Sequence, residues 1–561
     1  MLPTTSAGDG GKPTTKGSCA RALFRSQRRV AVLLLGVGMA GFLWMQYTML
    51  SSSFFTRPQL VRANQLRRPT RAPAPAKTGP IEIMKETPPL TPAPGELPVT
   101  QQERTRAIKA AMQFAWDSYE RGAFGADEVD PVSGARKEDV WGGIACSLVD
   151  ALDTLWIMDM KAEFARAREY VATKLSFSHL GANGNKISIF ETIIREVGGL
   201  LSAFDLSGDD VFKRKAQELM DLLVPAFVPS EGVFYTYFNP QSKSKGFASW
   251  TRYNALIADI GSLQLETRYL SDVTGDPKYA ALGEAFYEIL QREGPYQDTG
   301  LFPVHFDTTL GKFVNESVFS IGAYGDSFYE YLLKVFIYSG KRDEDAFLRD
   351  LYDDAVRGID ELLLQFDSKS QLYFIQQLRL PHMSGVHDMD HLLCFLPGLL
   401  ALGTLHEPHD VEKNERHLAL AKKVMNTCYQ MYHTQATGLA PDVVEFPYML
   451  AKDVKYKLRP ETIESLFYMY RVTNDTKYRE YGWEIFQSLE KHAKVAHGYG
   501  AVLNVREVPA KVENKMESFF LAETLKYHYL LQASEQLIPL DEYVFNTEAH
   551  PLRIRQRSKT K

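Results

Sequence analysis

Along the chain, apolar residues return every three or four positions in one segment after another, the period of an amphipathic helix, while strand-like alternation is rare. The pattern predicts helices over 103–121, 143–171, 187–206, 210–226, 252–273, 276–293, 319–339, 345–366, 389–405, 414–434, 460–473, 476–492 and 516–533. Within 320–338, Ile321, Tyr331, Leu332, Val335 and Phe336 are expected to line one face, with Lys334 pointing outward. Ser207-Gly208-Asp209, Thr274-Gly275-Asp276, Ser339-Gly340-Lys341 and Thr473-Asn474-Asp475 are turn signals at quasi-regular intervals between these segments. The large domain is therefore all-α and built from repeated helical hairpins, which a solenoid and a closed toroid of helix pairs explain equally well. Aromatic pairs near helix ends, such as Phe328-Tyr329 and Phe519-Phe520, read first as core filler.

The hydrophobic pattern changes at the N-terminus, where residues 30–50 are uncharged and almost wholly apolar, long enough to cross a bilayer as one helix. Trp44 and Tyr47 near its far end suit interfacial anchors, so a retained anchor is expected rather than a cleaved signal. Residues 51–100 hold 10 of the 28 prolines and read as an extended stem. This divides the chain into a tail (1–29), a membrane anchor (30–50), a Pro-rich stem (51–100), a folded domain (101–555) and a short basic tail (556–561). Arginines flank the anchor on both sides, so charge alone does not orient it. The sequons Asn315-Glu316-Ser317 and Asn474-Asp475-Thr476 favour a type II arrangement with the large domain in the secretory lumen.

Composition narrows the chemistry. The net charge of the 561 residues is −5, but residues 1–100 carry 13 Lys and Arg against 4 Asp and Glu, leaving 51 basic against 65 acidic residues in the rest. An acidic domain argues against a nucleic-acid partner. The 4 cysteines show no C-x-x-C spacing, which removes zinc-ribbon and thioredoxin readings. Gly-rich phosphate loops, G-x-S-x-G, H-E-x-x-H and EF-hand spacings are missing too. Acidic residues at helix ends remain. Glu191 and Arg195 stand at i and i+4 and can pair, either as a surface ion pair or as a carboxyl tuned by a neighbouring cation, as a glycosidase acid requires. Asp326 follows Gly325 at a helix start, where it would also serve as a cap. Pro460 suits a first helical position and places Glu461 and Glu464 in the first turns, where the helix dipole favours carboxylates in any case. His391, beside Leu392, Leu393 and Phe395, reads alone as a half-buried histidine.

Taken in order, VDALDTLWIM (149–158), FETIIREVGGLLSAFDLSGD (190–209), GDSFYEYLLK (325–334), MDHLLCFLPG (389–398), RPETIESLFYMYRVT (459–473), ENKMESFFLAETLKYHYLL (513–531) and VFNTEAHPL (544–552) resemble the class I α-1,2-mannosidases, family 47 of the glycoside hydrolases, over residues 101–555. The resemblance implies an (αα)7 barrel and a Ca2+-dependent, inverting exo-hydrolase that trims terminal α-1,2-linked mannose from high-mannose N-glycans. It matches Glu191 to the general acid, Glu461 to the proposed base and Asp326 to a third essential carboxylate. Asp442 falls among the active-site acids, where the family usually has Glu. Thr547 matches the direct calcium ligand, with Glu464 and Glu523 reaching the ion through water. Arg195, Asp259, Tyr324, His391, Phe519 and Glu548 match substrate-contacting positions, Phe519 as the platform under the sugar. Tyr324 and Asp259 depart from the usual Arg or small apolar residue and Glu, which leaves branch preference open. The resemblance also implies a Cys394–Cys428 disulfide, which leaves Cys146 as a buried free thiol. Anchor and stem are Golgi-like, with the endoplasmic reticulum as the alternative membrane. High-mannose N-glycans and the membrane are the expected partners, and no protein partner is predicted. The alternative function is a mannose-binding, degradation-enhancing lectin of the same fold, a branch that usually lacks the paired cysteines.

Overall fold

Helices alternate between two kinds of burial along residues 101–555, the part of the chain that the computed structural model describes. The expected tail, anchor, stem and basic C-terminal tail lie outside the described residues, and within them no helix is long and apolar enough to cross a membrane. Odd-numbered helices bury one face only: α1 (Gln101–Ala123), α3 (Lys161–Thr173), α5 (Asp210–Leu223), α7 (Lys278–Glu293), α9 (Ala346–Gly358), α11 (Val411–His433) and α13 (Lys477–His492). Even-numbered helices are buried on most sides: α2 (Leu152–Ile157), α4 (Gly198–Ser207), α6 (Gln264–Thr274), α8 (Asp326–Tyr338), α10 (Leu396–His406), α12 (Glu461–Thr473) and α14 (Leu525–Gln532). Five of these are entered through a separate short turn: Cys146–Asp150 before α2, Ile189–Thr192 and Ile193–Val197 before α4, Ile257–Ile260 before α6, His391–Phe395 before α10 and Phe520–Thr524 before α14.

The even helices form a ring. α2 packs on α4, and α4 on α6, α6 on α8, α8 on α10, α10 on α12 and α12 on α14 in turn; the turn leading into α14 then packs against α2 and closes the circle. Each odd helix lies outside, against its even partner, with α1 covering α14. The toroid is thus realised and the solenoid is not. Glycines and an asparagine end the inner helices as expected: Gly208 (φ 72°), Gly275 (φ 75°) and Asn474 (φ 54°) take the left-handed conformation just past α4, α6 and α12.

An inner helix has no solvent face, which corrects one expectation directly. Lys334 does not point outward: it is 1% exposed, and its ammonium pairs with Glu330 and lies 3.6 Å from Glu464 on α12. Its side chain is enclosed beside these two carboxylates, where the charge meets partners. Segment boundaries shift for similar reasons. The single helix expected over 143–171 breaks at Asp159, which has φ 55°, into α2 and α3. The segments expected to start at 252 and 389 begin as the short strands Ala255–Leu256 and Asp388–Asp390 before turning helical.

The C-terminal hairpin Tyr543–Phe545 and Pro551–Arg553 plugs the ring. Phe545 packs on Phe467 and Tyr468 of α12 and on Tyr527 of α14, with ring centroids 5.6–6.4 Å apart. Asn546 Nδ2 donates to the Ile194 carbonyl (2.9 Å) and to Glu266 Oε1 (2.7 Å) on α6. His550 lies between Asp150 (3.1 Å) and Asp153 (2.8 Å), and Lys526 Nζ joins Asp153 (2.8 Å) to the Ala549 carbonyl (2.6 Å). Only a segment at the centre touches so many inner elements at once. The expected disulfide is present between Cys394, in the turn before α10, and Cys428 of α11, and Cys146 is free and buried.

Candidate active site

A cavity of about 1160 Å³ opens where the inner helices begin, with the plug tip Thr547-Glu548 on its wall. Asp326 and Glu461 are the first residues of α8 and α12, while Glu191, Asp259 and Glu523 lie in the turns leading into α4, α6 and α14. Several helix N-termini therefore share one cavity, and each places partial positive charge toward its carboxylates. Glu191, Asp259, Asp326, Glu330, Glu461, Glu464, Glu523 and Glu548 all reach this cavity.

Arg195 organises the first wall. Its Nε and Nη2 lie 2.9 and 2.8 Å from Glu191 Oε2, the helical i, i+4 pairing expected from sequence. Its Nη1 binds Glu548 on the plug, donates to Ser518 Oγ (3.3 Å) and stands 3.6 Å from Asp150. The guanidinium carbon also lies 5.0 Å from the Trp141 ring centre and 5.9 Å from that of Phe519, so aromatic faces hold the cation from two sides. Ser188 caps the turn by accepting from the Glu191 N–H (3.3 Å). Beside Glu191, desolvation and the neighbouring carboxylate push Asp259 up to about 7, against a hydrogen bond from Thr236.

The facing wall carries Asp326 and Glu461. Desolvation first, then Asp390, Glu330 and Glu461, raise the proton affinity of Asp326 well above the carboxylate range, although the Ser327 N–H donates to it (2.9 Å). Glu461 Oε2 is bound to His391 Nδ1 (2.7 Å), and Oε1 stands 4.0 Å from Arg459. Glu464, Glu523, Thr547 and Glu548 also line the cavity. Burial, with Glu330 and Glu461 and against Lys334, pushes Glu464 up to about 8. Burial and carboxylate neighbours raise Glu523 and Glu548 well above the usual range. The donor atoms here are all oxygen and the excess charge is negative, which fits a hard divalent cation better than a zinc-type ion. Among the described residues, no three His, Cys, Asp or Glu side chains converge as a metal cluster.

Two expected site residues stand behind the wall. Asp442 does not line the cavity; Arg459 Nε (2.5 Å) and Lys457 Nζ (2.6 Å) hold it, and its carboxyl stays below the usual range because these cations outweigh its burial. His391, 1% exposed, lies behind Glu461 rather than on the surface a sugar would touch. Phe519 and Thr547 do line the cavity, and Tyr324, 47% exposed, packs at its mouth against Trp250 with ring centres 5.4 Å apart. Sequence reasoning missed Glu330, Lys334 and Arg459. Glu330 was within reach, since it stands four residues after Asp326 on the same helical face.

A helical ring with carboxylates gathered at one end is the architecture and chemistry of a glycoside hydrolase. Residues 111–554 match glycosyl hydrolase family 47, and the chain belongs to that family. It is 42% identical over 482 residues to the human endoplasmic reticulum mannosyl-oligosaccharide 1,2-alpha-mannosidase, covering 83% of this chain and 66% of that one, so it spans slightly less than two thirds of the human protein's length. It is 40% identical over 485 residues to mannosyl-oligosaccharide 1,2-alpha-mannosidase MNS1 of Arabidopsis thaliana, covering 85% and 82% of the two chains. Among solved structures, an alpha-1,2-mannosidase from Trichoderma reesei matches with a TM-score of 0.74 and 30% identity, covering 82% of this chain and all of that one.

Proposed function

We propose that this protein is a Ca2+-dependent, inverting exo-α-1,2-mannosidase that removes terminal mannose from high-mannose N-glycans, anchored in a Golgi or endoplasmic reticulum membrane through residues 30–50. The observation that carries the reading is the convergence of Glu191, from the turn before α4, with Asp326 of α8 and Glu461 of α12 on one cavity that also holds the plug tip. An inverting glycosidase needs one carboxyl to protonate the leaving oxygen and another to take a proton from the attacking water. Glu191, oriented by Arg195, supplies the first role, and Glu461, oriented by His391, the second. Asp326, whose proton affinity burial raises, serves as the third essential carboxyl. Phe519 offers an aromatic face to the sugar. Thr547 would hold calcium directly, with Glu464 and Glu523 acting through water, and the bound ion would supply coordination for vicinal sugar hydroxyls.

The test is incubation of the chain with a high-mannose N-glycan, with Ca2+ or with chelator, following products by mass and the first-formed anomer by NMR. Calcium-dependent release of β-mannose is expected. Binding without release would move the protein to the lectin reading, and release that persists in excess chelator would remove calcium from the mechanism. In the same preparation, full-length chain that stays with membranes after an alkaline wash supports the anchor, and chain that washes off removes it.

A further inference from the structure

The His391 side chain, buried behind Glu461, is bonded at both ring nitrogens. Its Nδ1 lies 2.7 Å from Glu461 Oε2, and its Nε2 lies 2.7 Å from the Tyr432 hydroxyl and 3.0 Å from the Thr462 hydroxyl. An ionised Glu461 can only accept, so Nδ1 must donate. The neutral imidazole then carries its proton on Nδ1 and presents a lone pair at Nε2, where two hydroxyl donors meet it. Tyr432 is 2% exposed, so its hydroxyl meets Nε2 out of reach of bulk solvent. It sits one turn after Cys428, whose disulfide partner Cys394 is one turn after His391, so outer helix α11 is tied to the turn that carries the histidine.

We infer that Tyr432 is a positioning residue for the reaction: acting through His391, it fixes the imidazole tautomer that holds Glu461 Oε2 and leaves Oε1 as the oxygen that takes the proton from water. This rests on Glu461 being the general base of the proposed reaction. Tyr432 is not on the cavity wall and touches no sugar, so it acts on the chemical step and not on binding. Arg459, Asp326, Glu464, Glu523 and Tyr456 also face this pair, and a change at Tyr432 substitutes none of them.

The experiment compares wild type, Tyr432→Phe, His391→Asn, the double variant and Glu461→Gln in the presence of Ca2+, measuring kcat and KM on the glycan across pH 4–8. His391→Asn keeps an N–H donor for Glu461 while removing the link to Tyr432. For Tyr432→Phe, about a 10-fold fall in kcat is expected with KM unchanged. In the His391→Asn background the same substitution should have no further effect, because the path through the imidazole is already cut. A KM change without a kcat change, or equal effects of Tyr432→Phe in both backgrounds, would overturn the inference. If Tyr432→Phe unfolds, the Thr462→Val variant removes the other donor to Nε2 and carries the same expectations. Hydrolysis by Glu461→Gln would defeat the assignment of the base itself, whereas an inactive Glu461→Gln beside a wild-type-like Tyr432→Phe defeats only the positioning role.

Discussion

Individual side chains divide here into those that face the cavity and those that hold them, and Asp442 shows how a test separates the two. Its carboxylate takes both Arg459 and Lys457, and Arg459 in turn stands 4.0 Å from Glu461. Asp442→Asn should therefore release Arg459 and lower kcat on the glycan by about 10-fold, below the roughly 100- to 10,000-fold that a general base itself contributes. Asp442→Glu, which keeps the charge on a longer arm, should stay within about threefold of wild type, as expected of a residue that grips two flexible cations and no sugar. Steady-state kinetics on a high-mannose glycan read both; an inactive Asp442→Glu variant would mean that the carboxylate has a direct and geometrically strict role. Legibility at this scale followed spacing. The Glu191–Arg195 pair could be read from the i, i+4 rule, and its geometry agrees. Lys334 could not, because helical periodicity names two faces and cannot say that both are enclosed.

Elements add what single residues cannot supply, and the plug hairpin shows it best. His550 is fully enclosed between Asp150 and Asp153, and although burial opposes its charge, those two carboxylates hold the imidazole above its ordinary value. Replacing it with Gln leaves both aspartates short of a cation, and Asp153 keeps only Lys526. A loss of roughly 3 kcal/mol in unfolding free energy is expected, at the lower end for breaking a buried charged group away from its partners. The pH dependence has a definite sign. A raised histidine contributes stability that is complete below its unfolded value near 6.5 and is lost as pH rises through the higher folded value, so wild type and His550→Gln should converge in alkaline solution. Denaturant unfolding at several pH values checks this, and a gap that stays constant with pH would show the imidazole to be neutral in the fold. The plug was not visible in the sequence, where resemblance marked only the string VFNTEAHPL: its strands have three residues each, too few for an alternating pattern to register. The helices were legible because each spans several turns, and their starts were misplaced where a strand or short turn feeds the inner ring, as at Ala255–Leu256.

At the scale of the whole molecule, closure is the property that periodicity could not provide, since a hydrophobic stripe records that a helix is covered and not by which neighbour. Closure would also make the proposed calcium a matter of stability as well as catalysis. Thr547 sits on a hairpin whose contacts reach α2, α6, α8, α12 and α14 as well as the turn before α4, and the Tyr331 hydroxyl of α8 lies 3.4 Å from its backbone nitrogen. Glu464 and Glu523, expected to reach the same ion, belong to α12 and to the turn before α14. An ion bound there would tie the plug to the ring and relieve repulsion among carboxylates that burial otherwise drives toward protonation. Binding to the folded state alone stabilises it by about 2.7 kcal/mol at 100-fold saturation, which in a domain of this size corresponds to a few degrees in Tm. Chelation should therefore lower Tm together with activity, and Thr547→Val should remove the calcium-dependent part of Tm while leaving the chelated value nearly unchanged. Differential scanning calorimetry with and without chelator measures both, and a Tm indifferent to calcium in the wild type would place the ion, if it acts at all, outside the plug.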